Sequence, residues 1–100
     1  MTKLARILVI DDDELVNAFV QETLRRMGHR VQTATSAEEG LRLAEEETFD
    51  LVFTDVRMPG ASGLDVLERV RERYPETLIV LMTAFGGGLT WASCLMQWGR

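Results

Sequence analysis

Four short strand-like runs alternate with stretches of helical periodicity along this chain, and that alternation restricts its fold more than any other feature. Residues 6–10 hold the continuous apolar run Ile7, Leu8, Val9 and Ile10, the pattern of a strand covered on both faces. Val16, Phe19, Val20, Leu24 and Met27 then fall on one stripe at helical spacing, and Gly28 stands where a helix ends in a left-handed residue. Val31 to Thr35 is rich in β-branched residues and reads as a second strand. Ser36 and Glu39 have capping-box spacing and open a helix reaching about Glu46. Leu51 to Thr54 is a third strand. Ser62 and Gly63 start a helix with Leu64, Leu67, Val70 and Tyr74 on one face, stopped by Pro75, and Leu78 to Met82 is a fourth strand. The order βαβαβαβ requires a parallel sheet with right-handed crossovers and helices on both faces, an α/β doubly wound architecture.

Composition narrows the class of function. One hundred residues make one small domain, and 46% apolar with 27% charged residues is the balance of a globular chain. The longest apolar runs are strand-length, short of the ~20 residues that cross a bilayer. The run after Lys3 and Arg6 ends in three aspartates, unlike a secretory signal, so the cytoplasm is the expected compartment and no membrane contact is expected. A net charge of −5 without a basic stripe argues against direct nucleic-acid contact. Cys94, the single cysteine, can form no internal disulfide and reads as a small buried hydrophobe, and His29, after Gly28, reads as a solvated loop histidine.

The chemistry is written at two strand ends. The first strand runs into Asp11, Asp12 and Asp13, and the third ends at Thr54 and Asp55. In open parallel sheets ligands bind beyond the carboxyl ends of strands, where both clusters lie. Carboxylates at such a point suit a hard divalent cation such as Mg²⁺, which takes one or two of them and keeps waters and phosphate oxygens as its other ligands. Two unit charges about 4 Å apart cost on the order of 4 kcal/mol at intermediate dielectric, and a +2 ion removes most of that repulsion. A strand-end carboxylate beside such an ion can act as a nucleophile toward phosphorus and form an aspartyl-phosphate. A solvated acidic loop is the plain alternative for Asp11 to Asp13 taken alone.

Three motifs together resemble the response-regulator receiver domains of two-component signalling. They are Ile7-Leu8-Val9-Ile10-Asp11-Asp12-Asp13, Thr54-Asp55-Val56-Arg57-Met58-Pro59-Gly60 with Gly63 and Leu64 beyond it, and Val80-Leu81-Met82-Thr83-Ala84-Phe85. They occur in the family's order, and the resemblance covers about residues 5–86. It implies a flavodoxin-like sheet of order 2-1-3-4-5, Asp55 as phospho-acceptor, and Asp11 and Asp12 as the acidic pair that holds Mg²⁺. Arg57 would give its backbone carbonyl to the metal. Thr83 would be the switch hydroxyl, Ala84 the small residue leaving room for the phosphoryl group, and a sensor histidine kinase the partner.

The family pattern breaks after residue 86. Receivers continue with a helix, a fifth strand ending in a lysine-proline pair, and a last helix, whereas the only lysine here is Lys3. Residues 1–86 are therefore expected to form a partial receiver domain lacking the fifth strand and last helix. Residues 87–100 are expected to form an atypical tail, as from a truncated or altered frame, with a short helix over about 89–98. All sixteen acids precede this tail, which holds both tryptophans. Two consequences follow: phosphorylation is expected to be impaired, and Leu78 to Met82 becomes an exposed edge that favours dimers or domain-swapped oligomers. An Asp-nucleophile phosphatase is the enzymatic alternative, since Asp11 and Asp13 have its spacing, but that chemistry also uses a lysine. A nucleotide-binding fold is weaker still, because no glycine-rich loop follows the first strand. An inert fragment that binds itself without signalling is the remaining reading.

Overall fold

The continuous apolar runs become the inner strands of one sheet. In the computed structural model, residues 4–85, 88–90 and 96–97 are described, with side chains for 4–82. Strand β1 (Arg6–Ile10) lies between β2 (Arg30–Ala34) and β3 (Leu51–Asp55), and β3 pairs with β4 (Leu78–Phe85), all in parallel. Helices α1 (Glu14–Arg26), α2 (Ala37–Glu46) and α3 (Gly63–Arg73) provide the crossovers. Strand alternation divides the core between the two faces. Ile7, Val9 and Val31 pack with Val20 of α1, while Leu8, Ile10 and Ala34 pack with Ala44 of α2 and Val66, Leu67 and Val70 of α3. The expected α/β, doubly wound parallel sheet is the observed one.

Local signals fix the helix starts. Asp13 caps α1 by accepting the Leu15 N–H at 2.9 Å. Ser36 accepts the Glu39 N–H at 3.1 Å, but the reciprocal half of the expected capping box lands one residue early, because Glu39 accepts from the Thr35 N–H at 3.0 Å. The complete box is at α3, where Ser62 and Asp65 hold each other's backbone N–H. Gly28, at φ 98°, turns the chain from α1 into β2. His29 is half-buried rather than solvated, with Nδ1 accepting the Ala5 N–H at 3.1 Å.

Two apolar stripes are narrower than expected. Val16, Val20 and Leu24 of α1 face the core, but Phe19 is 63% exposed and Met27 58% exposed. At 100° per residue Phe19 lies about 130° from the centre of the face that buries Asn17 and Val20, while Met27 is past the last turn. In α3, Val66 takes the core place assigned to Leu64, which is 54% exposed.

The largest departure concerns the chain after β4. Backbone at Gly88–Thr90 (β5) and Met96–Gln97 (β6) is extended, where a helix over about 89–98 was expected, and both strands pair with β4 in antiparallel fashion. The sheet order is β2-β1-β3-β4-β5, with β6 also on β4. The fifth place beside β4 is thus filled, by an antiparallel strand rather than a parallel crossover strand. Ile79 and Val80 pair with Gln97 and Met96, so part of the β4 edge expected to lie open, Leu78 to Met82, is occupied within the chain. A partly covered edge offers less template for exchange between chains than the open one expected. The remaining tail residues, Cys94 among them, lie outside the described residues, as does Lys3.

Candidate metal and phospho-acceptor site

Parallel register brings the two acidic strand ends together. Ile10 pairs with Thr54, so Asp11, the residue after β1, comes level with Asp55, the last residue of β3. Oxygens of Asp11, Asp12 and Asp55 all lie within 4.8 Å of one another. Asp11 is buried, Asp55 half-buried and Asp12 exposed, which gives a pocket with one wet side. Asp13, next in the run, is spent on capping α1 and is not part of the trio.

Backbone geometry holds the two inner carboxylates. Asp11 accepts the Asp13 N–H at 2.9 Å, and Asp55 Oδ1 accepts the Arg57 N–H at 3.3 Å, leaving Oδ2 for chemistry. The Val56 N–H donates to the Met82 carbonyl at 3.0 Å, tying the loop after Asp55 to β4. Thr83 and Ala84 follow Met82, the register partner of Asp55, so their backbone reaches one and two residues past the phospho-acceptor's level. Their side chains, to which the switch-hydroxyl and small-residue roles belong, lie outside the described residues.

Electrostatically the site is under strain without a cation. Burial pushes the Asp11 carboxyl up from 3.8 to about 6; the Asp13 N–H opposes this, and the charges of Asp55, Asp12 and Asp13 add to it. Asp55 is raised as well, first by burial and then by Asp12, against the Arg57 and Val56 N–H groups and the Arg57 charge. A carboxyl whose folded pKa is raised favours the fold while protonated. That contribution is fully present below 3.8 and is lost as pH rises through about 6, when the buried group ionises. A divalent cation reverses the sign by favouring the ionised form. Close-set oxygen donors of this kind fit Mg²⁺, which prefers carboxylates to nitrogen or sulfur.

Two residues that position the site were not legible as functional. Asn17 is buried beneath Asp11 and donates from Nδ2 to the carbonyls of Asp11 at 2.8 Å and Ala34 at 3.0 Å, latching the ends of β1 and β2. Its only signal in the sequence is a polar residue inside the apolar stripe of α1. Gly63 reads from the sequence as a helix start and as part of a motif, with no sign of what it touches. A Cβ there would stand 2.2 Å from the Asp55 carbonyl oxygen and 2.9 Å from the Val56 Cα, so α3 can start against the phospho-acceptor's own backbone only with glycine.

A doubly wound sheet that delivers three carboxylates to the ends of its first and third strands belongs to a class of acidic-pocket α/β domains. Comparison with known proteins says which. A model of the response regulator receiver domain matches residues 7–97. The chain belongs to this family, whose members act broadly as phospho-accepting switches in two-component signalling. It is 42% identical over 78 residues to the transcriptional regulatory protein AfsQ1 of Streptomyces coelicolor, covering 78% of this chain and 34% of AfsQ1. The chain spans about a third or less of the length of the first curated relatives it matches, from 17% to 35%. It superposes on the response regulator TrrA of Thermotoga maritima in complex with Mg²⁺-BeF with a TM-score of 0.78, at 36% identity over 82% of this chain and 71% of that one. It also superposes on TrrA in complex with the histidine kinase ThkA, with a TM-score of 0.76 at the same identity and coverage. Among the described residues, no helix is long and apolar enough to cross a membrane.

Proposed function

We propose that this chain is a cytoplasmic phospho-acceptor switch that takes a phosphoryl group on Asp55 with Mg²⁺ held by Asp11, Asp12, Asp55 and the backbone carbonyl of Arg57. The observation that carries it is the convergence of three carboxylates, two of them, Asp11 and Asp55, each oriented by a backbone N–H on one oxygen. Mg²⁺, when bound, supplies neutralisation of the charge spread over the phosphoryl oxygens. Asp55 Oδ2 attacks phosphorus, an Asp55–phosphate bond forms, and the donor's bond to phosphorus breaks, its electron pair departing on the imidazole nitrogen of a phosphohistidine or on the acyl oxygen of acetyl phosphate. Thr83 is proposed to hydrogen-bond the transferred group, and Ala84 to leave it space. Lys3 is the one lysine of this sequence. For these hundred residues, then, neutralisation falls to the cation and Thr83, and transfer is proposed to be slower than where a lysine adds its charge. Asp13, committed to its cap, speaks against the phosphatase reading.

The proposed donor is a sensor histidine kinase, as in the complex of TrrA with ThkA. Leu15, 80% exposed, and Phe19, 63% exposed, stand one turn apart on α1 directly after the aspartates. They form an apolar step on the helix that follows the aspartates, suited to a partner helix. Were two copies to associate, exchange of β5 and β6 would keep the pairing seen on β4. The test compares donors. With acetyl phosphate and Mg²⁺ the wild type gains a phosphoryl group, and a Leu15→Asp, Phe19→Asp variant gains it equally well. With a phosphorylated kinase the variant is slower by about tenfold or more, the effect of losing one or two buried anchors. An equal loss with both donors would place these residues in the pocket's chemistry rather than in docking.

A further inference from the structure

At the end of the sheet away from the aspartates, four basic side chains open onto one pocket of about 320 Å³. Arg6 and Arg30 begin β1 and β2 and are direct register partners. Ile7 and Val31 face α1, so alternation turns both arginines to the α2 side, with like charges side by side, an arrangement that is destabilising unless something answers it. Only one of the two is answered. Arg6 pairs with Glu47, whose carboxylate Gln32 also holds. The Arg30 side chain has no ion-pair or hydrogen-bond partner among the described residues, and neither has that of Arg25 from the last turn of α1. His29 accepts the Ala5 N–H on Nδ1, which leaves its proton on Nε2 as a further donor. Phe49, packed on the α2 side of the sheet, and Val31, packed on the α1 side, add apolar lining. In a chain of net charge −5, the one acid lining this pocket is already neutralised.

We infer that this pocket is a second ligand site, for a diphosphate group, roughly 17 Å along the sheet from the phospho-acceptor by the rise of five strand residues. Guanidinium forks match carboxylate and phosphate alike. The two guanidiniums left without partners, Arg30 from a strand and Arg25 from a helix end, with an imidazole N–H between them in sequence and Arg6 held on Glu47 nearby, offer more donors than the two oxygens of one carboxylate accept and suit an anion with oxygens on several sides. The pocket is at the small end of ligand sites, about 300 Å³ and upward, which leaves room for pyrophosphate or for the diphosphate of a nucleotide with its base near Phe49.

The experiment is titration of the full chain with pyrophosphate, ADP and adenosine in EDTA at low salt, followed by amide NMR shifts and calorimetry. Saturable shifts are expected at residues 25–32 and 47–49 with pyrophosphate, and none at 11–13 or 55–57. Tighter binding of ADP than of pyrophosphate assigns the nucleotide as the source, and equal binding assigns the free anion. Arg25→Gln with Arg30→Gln should weaken binding by about tenfold or more, the loss of charge-assisted hydrogen bonds, while Arg69→Gln with Arg71→Gln on α3 removes the same charge and should leave it unchanged. Arg30→Gln also relieves the cross-strand repulsion, so the variant should melt no lower than the wild type, and Arg25→Gln alone, on an exposed helix end, gives a second reading. Shifts absent from residues 25–32, adenosine binding as well as ADP, or equal weakening by the two double variants would overturn the inference.

Discussion

Replacing Asp55 with Asn abolishes the Mg²⁺-dependent adduct formed with acetyl phosphate. The wild type is expected to gain about 80 Da in intact-mass analysis, a phosphoryl group in place of a proton. Asn has the shape of Asp without its nucleophilic oxygen, so Asp55→Asn should lower adduct yield by about a hundredfold or more while the fold stays intact. Asp12→Asn keeps the nucleophile and weakens only the metal's hold, so its adduct should form about tenfold more slowly and recover at higher Mg²⁺. Stability gives an independent sign. Asp55 is one of three carboxylates within 4.8 Å, and without metal its loss should stabilise the fold by about 1 kcal/mol, a screened Coulomb relief. An adduct that persists in Asp55→Asn, or a variant less stable than the wild type in EDTA, would remove Asp55 from the role given to it.

Gly63→Ala is expected to have the largest effect on the fold. Helix propensity alone predicts the opposite, since Ala is favoured over Gly in helices by up to about 1 kcal/mol. Here the added methyl would stand 2.2 Å from the Asp55 carbonyl oxygen and 2.9 Å from its carbonyl carbon. Those are backbone atoms of β3, locked between β1 and β4, and cannot swing aside as a side chain could. Relief must come from moving the start of α3, which would break the Gly63 N–H bond to the Val56 carbonyl at 3.0 Å. The net loss should be about 3 kcal/mol, the upper range for overpacking, or a fall in Tm of more than ~10 °C for a domain of this size. Thermal unfolding by circular dichroism measures it, and an unchanged or raised Tm would show that the contact relaxes without cost. Gly40→Ala is the milder comparison, because its nearest neighbour is the Ile10 side chain.

How far the sequence discloses the molecule depends on whether the deciding interaction is local. The four parallel strands were legible because a continuous apolar run is needed wherever both faces are covered, and two helix starts because Ser36 and Ser62 act within three residues of themselves, whereas Asp13, which caps α1, was hidden among the acidic residues beside it. The acidic trio was legible because strand ends in a parallel sheet share one edge. Phe19 and Leu64 were misplaced because a stripe of apolar residues does not reveal its own width, and exposed apolar side chains on its flank look the same as core. The tail was illegible for another reason. Nothing between Leu89 and Trp98 breaks a helix, yet Gly88–Thr90 and Met96–Gln97 are extended on β4, and strand formation of that kind is decided by a distant partner. Asn17 and Gly63 share this character, since what they touch is backbone far away in sequence.

The most direct test is calorimetric titration of Mg²⁺ into the wild type, Asp12→Asn and Asp55→Asn at about pH 8 and again at about pH 5, on either side of the Asp11 carboxyl's value of about 6. One site is predicted in the wild type, weakened by about tenfold or more in each variant and on acidification, with proton release at the lower pH. Superimposable isotherms for the wild type and Asp55→Asn, or an affinity that does not change with pH, would contradict a metal site built from these three side chains.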